Sequence, residues 1–197
     1  MLENSNAVHN VNRRGSRPRT PHEFNTRLAT SAFNVATIVH EATHQIAFNT
    51  GMHTRYADNP LWLTEGMAMY FETPDLKSKT GWRTAGKVNR VRNRRFREFL
   101  ANGRGSDSLI TLIQNDKRFT DGNTIADAYA EAWALSHYLI RTKRSAYLKY
   151  LERISSKPRL IWDKPEQRIE EFKAAFGDDL EKLDRNFLRY MKRLRVR

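Results

Sequence analysis

Across residues 28–48 the apolar positions follow a helical period on two sides at once, which leaves little room for any fold but a helical one. Phe33, Ala36, Thr37, His40, His44 and Ala47 fall on one side, while Val35, Ile38, Val39, Ala42 and Ile46 cover much of the other. A helix apolar on two sides predicts an element at the centre of the fold, and Asn49-Thr50-Gly51 supplies its stop signal. The rest of the chain reads in the same way. A short apolar helix is expected over residues 61–72, after a loop at 52–60, and a basic amphipathic helix over 87–100. A short helix at 109–113, an Ala-rich one at 124–140 and a partner at 144–154 follow. Residues 155–166 hold two prolines and read as a loop, and Asp178 with Glu181 opens a last amphipathic helix over 178–194. The "GRGSDS" stretch at Gly103 lacks a third glycine and a preceding strand, so it reads as a loop. No segment carries a strong strand signal, so the expected fold class is mainly α. Residues 1–22 are polar and aperiodic and read as a basic tail or linker before one domain over residues 23–197.

Composition narrows the chemistry. The chain has no cysteine, which excludes disulfides, thiolate metal sites and a cysteine nucleophile, so any metal must rest on histidine and carboxylate. No apolar run reaches the ~18 residues of a membrane span, and the first residues lack the apolar core of a signal peptide. The chain therefore reads as soluble, with an extracytoplasmic home open if it belongs to a longer precursor. The net charge of +13 is distributed in three blocks: Arg13, Arg14, Arg17 and Arg19; Arg83 to Arg97; and Lys192 to Arg197. They lie on separate segments without interleaved stacking aromatics and read as solvated faces; a basic helical nucleic-acid-binding module is the competing expectation.

Inside the first helix sits His40-Glu41-Ala42-Thr43-His44. Two histidines four apart differ by about 40° around a helix, so both imidazoles can converge on one ion. Glu41, about 100° round from His40, can reach a water at that ion without ligating it. A third ligand separates a metal site from two core histidines. His53 does not fit a metzincin pattern, because Ala47 and Thr50 occupy the positions that would need Gly and His. Glu65 lies in the apolar segment "PLWLTEGMAMYFE", where an unpaired charge is costly to bury and ligating a metal would remove that cost.

"TIVHEATHQIAF" followed by "PLWLTEGMAMYFE" resembles the gluzincins of the peptidase MA clan, in which H-E-x-x-H is followed by W-L-x-E-G-x-A. Within that clan the chain is most similar to a bacterial peptidase-like domain of unknown function, number 1570, which adds a later "YAxAWALxHYL" helix, here "YAEAWALSHYL" from Tyr129. The resemblance implies a zincin-like helical domain with one Zn2+ per chain, held by His40, His44 and Glu65. It implies Glu41 as general base in hydrolysis of a peptide or protein substrate, and Tyr129 as a donor to the oxyanion. His137 is the rival donor, and plain core packing is the alternative for Tyr129. Glu72, seven residues past Glu65, returns to nearly the same helix face; it orients a ligand histidine, binds a substrate amine, or is a surface carboxylate. Gluzincins place a small sheet before the motif helix. Only 39 residues precede His40, so little or no sheet is expected in this chain; it is reduced, or it belongs to a longer polypeptide. A catalytically inactive zinc-binding scaffold is the remaining alternative function.

Overall fold

The computed structural model describes residues 20–73 and 85–195, with residue 21 and residues 23–33 described by their backbone alone. The chain is mainly helical, and among the described residues there is no strand. The helices are α1 (Pro21–Asn49), α2 (Leu61–Phe71), α3 (Arg90–Ala101), α4 (Ser108–Gln114) and α5 (Lys117–Thr120), then α6 (Ile125–Thr142), α7 (Arg144–Ser155), α8 (Pro165–Phe176) and α9 (Leu180–Arg193). Most of the tail assigned to residues 1–22 lies outside the described residues, while Pro21 and His22 already belong to α1.

The central helix is α6, and α1 is peripheral. From Ala128 to Leu139 every residue of α6 except Tyr129 is buried, and α2, α3, α5, α7 and α9 all pack on it. The small side chains of Ala128, Ala130, Ala132 and Ala134 let neighbours approach closely. α2 comes closest at Gly66, where a Cβ would stand 2.5 Å from the carbonyl oxygen of Ala132. The central position expected for the two-sided apolar helix is thus corrected. α1 packs on α2 at the edge of the bundle, Ile38 and Ile46 are 66% and 60% exposed, and Ala47 is buried. Periodicity reports that a face is apolar; what covers that face is decided by tertiary structure.

Two helices were not expected. α5 is a single turn, and α8 begins inside the stretch read as a loop because Pro165 is the first residue of a helix, where a missing N–H costs nothing. The cap of α9 is likewise Asp179, which accepts from the backbone N–H of Lys182 at 2.8 Å, in place of the Asp178–Glu181 pairing. α8 matters for the site because Arg168 reaches under the loop joining α1 to α2. Its guanidinium bonds both carboxylate oxygens of Asp58 and, at 2.9 and 3.0 Å, both oxygens of Asp116. Lys157 adds a bond to Asp58 at 3.3 Å. Burial alone would raise the Asp58 pKa, but these two cations bring it below its ordinary value. The loop that sets α1 against α2 is thereby fixed from below.

Candidate metal centre

α1 presents His40 and His44 toward α2, which presents Glu65 back. The two Nε2 atoms are 3.1 Å apart, His40 Nε2 is 3.2 Å from Glu65 Oε2, and His44 Nε2 is 3.4 Å from Glu65 Oε1. Ligand atoms about 2.0–2.1 Å from a tetrahedral ion stand about 3.3 Å from one another, so these separations are those of a zinc-type ligand set. Among the described residues this is the group of histidine and carboxylate ligand atoms drawn together tightly enough to hold an ion. Glu65 is half-buried, with 15% of its side chain exposed.

The next layer orients His40. Its Nδ1 donates to Glu72 Oε2 at 2.7 Å, which turns Nε2 toward Glu65 and His44. Glu72 is itself held: its Oε1 accepts from Asn89 Nδ2 at 2.8 Å, with Arg92 Nε at 3.6 Å. Asn89 is the N-cap of α3, its Oδ1 accepting from the backbone N–H of Arg92 at 3.2 Å. Of the three roles open to Glu72 in the sequence, the geometry matches the first, orientation of a ligand histidine. Burial alone would lower the His40 pKa, but its bonds to Glu65 and Glu72 outweigh that and raise it to about 9. Glu65 moves the other way. Burial would raise it, and the adjoining histidines hold it well below the usual carboxylate range. A divalent ion held by the same side chains would take the place of the proton that His40 shares with Glu65. His40, His44 and Glu65 fit zinc.

Glu41 is exposed on α1 beside His40. Tyr129 is the one half-buried residue in the buried run of α6. Its ring packs edge-on against Phe119 with centroids 5.4 Å apart, and the Arg92 guanidinium lies 5.6 Å from the ring centroid. Burial raises the Tyr129 pKa, and the charge of Glu65 raises it further, against a lowering by Arg92. The rival donor His137 is closed off: it is buried, its Nδ1 is paired with the Tyr190 hydroxyl at 3.0 Å, and its ring sits against Tyr70 and Trp133. His53 is buried without a hydrogen-bond partner for either ring nitrogen and is not among the converging ligand atoms.

The family described as "Protein of unknown function (DUF1570)" matches residues 34–160, more than half of the chain. The chain belongs to that family. No curated protein and no solved structure matches it.

In this DUF1570 chain the matched span runs from within α1 through α7, so it contains His40, Glu41, His44, Glu65, Glu72 and Tyr129. Asn89 and Arg92, which brace Glu72, were missed in the sequence. The signal for Asn89 was an asparagine just before a helical run, a capping pattern. Arg92 carried none, being one arginine in a crowded basic block.

Proposed function

We propose that this DUF1570 domain is a zinc-dependent, gluzincin-type peptide hydrolase with His40, His44 and Glu65 as ligands. The observation that supports the reading best is the convergence of one ligand atom each from His40, His44 and Glu65 to within 4.8 Å of one another, with His40 turned into place by Glu72. Zinc at this position supplies Lewis acidity, which brings the pKa of a water toward about 7 and polarises a carbonyl. Glu41 then acts as general base. It takes a proton from the water as the water oxygen bonds to the carbonyl carbon, and it returns the proton to the amine nitrogen as the C–N bond breaks. Tyr129, kept protonated by its raised pKa, donates to the oxygen on which negative charge develops. Glu72 and Asn89 keep His40 aligned through the cycle.

The test is Glu41→Gln, assayed on a mixed peptide library with zinc content measured in parallel. The amide retains shape but cannot accept the proton, so turnover falls by about 10²- to 10⁴-fold while zinc and fold are retained. Undiminished turnover removes Glu41 from the mechanism.

A further inference from the structure

α3 sorts its arginines by face. Arg92 and Arg95 turn toward the domain and meet acids, Arg92 at 3.6 Å from Glu72 and Arg95 at 2.7 Å from Asp127. Arg90, Arg94 and Arg97 turn outward, where they face Lys192, Arg193 and Arg195 at the end of α9 across an open groove of about 1020 Å³. Arg97 donates to the Leu194 carbonyl at 3.0 Å and ties the two walls together, although they are 97 residues apart in the chain. Glu98 is the one carboxylate among the lining residues, and it also lies 3.9 Å from Arg95. Parts of two of the basic blocks that read as separate solvated faces therefore line one groove. The third, at residues 13–19, lies outside the described residues.

Six cations with a single carboxylate among them give the groove a net positive charge that suits an anion. Five of the six are arginines, whose planar forks bind phosphate oxygens in pairs. Among the described residues no aromatic side chain lines the groove, so they offer no platform for stacking unpaired bases. We propose that this groove seats the sugar–phosphate backbone of duplex nucleic acid, without reading base sequence. The proposal is independent of the metal centre.

The test is fluorescence anisotropy of the full chain with a labelled duplex of about 20 base pairs, titrated between about 50 and 200 mM salt. If the groove neutralises about five phosphates, log K falls against log salt with a slope of about −4.5. Arg94→Glu/Arg193→Glu lowers the magnitude of that slope by about 2 and weakens binding on every duplex sequence alike. Arg144→Glu/Lys149→Glu makes the same change in net charge on the exposed face of α7 and leaves the slope near that of the parent. Arg94→Lys/Arg193→Lys keeps the slope, which separates charge from any loss of fold. Equal weakening by both charge-reversal pairs, tighter binding to a single strand or to an acidic peptide than to the duplex, or no binding at the lowest salt would each overturn the proposal.

Discussion

Gly66 follows the ligand Glu65 directly and marks the closest approach of α2 to α6, so Gly66→Ala is a stringent perturbation of both fold and site. The added Cβ would stand 2.5 Å from the Ala132 carbonyl oxygen, 3.0 Å from its carbon, and against Ser136 Oγ. The serine hydroxyl can rotate away. The carbonyl cannot, because it belongs to the backbone of a helix whose neighbours Trp133, Ala134 and Leu135 are fully buried. Restoring ordinary contact distances requires the two helices to part by about 1 Å. Overpacking of a close-packed core costs about 1–3 kcal/mol, and a backbone clash belongs at the upper end. At about 2–4 °C per kcal/mol for a domain of this size, the melting temperature falls by roughly 6–12 °C. The same displacement moves Glu65 off His40 and His44, so zinc affinity drops with stability. Thermal melting by circular dichroism and zinc titration measure the two effects. Adding Ser136→Ala removes the hydroxyl and recovers its share alone. A Gly66→Ala melt within about 1 °C of the parent would show that α2 and α6 are not in the contact described.

Three further outcomes follow from the site and its surroundings. Glu72→Gln removes the charge that orients His40 and weakens zinc binding by about 10- to 100-fold with the helical fold intact; unchanged affinity would mean Glu72 does not position the ligand. Tyr129→Phe leaves zinc content and melting temperature nearly unchanged but lowers kcat by roughly 10- to 1000-fold, whereas lost stability with intact kcat would make Tyr129 a packing residue. Burial, aided by the charge of His44, lowers the His53 pKa from 6.5 to about 4. The unfolded chain then binds a proton that the folded chain refuses, so the contribution of His53 to stability is complete above pH 6.5 and is lost as pH falls toward 4, by up to about 1.4 kcal/mol per pH unit. His137 is shifted the same way, so melting temperature declines between pH 7 and pH 5. His53→Leu should flatten that decline, and an undiminished one would remove His53 from the linkage.

What the sequence disclosed was local in origin. A helical period is written in the neighbours of each residue, so α2, α6, α7 and α9 were readable to within a few residues, as were the paired histidines on one face of α1. Glu65 was readable because a charge in the middle of "LWLTEGMAMYF" needs a reason to be there. What failed was what depends on distant chain. Nothing in α1 indicates that Ile38 and Ile46 face solvent, since that is decided by where α2 and α6 lie. Pro165 read as a loop residue because the same residue serves a loop and a helix start. Asn89 reaches Glu72 only because α3 packs on α6 beside α2, and the groove between α3 and α9 exists only once residues 97 apart are joined.

The central claim is that His40, His44 and Glu65 hold zinc, and elemental analysis of the purified chain tests it most directly. The account predicts close to one zinc per chain, lost in Glu65→Ala and retained in His53→Ala. A chain that takes up no zinc when it is supplied, or one stripped by His53→Ala and unaffected by Glu65→Ala, would contradict it.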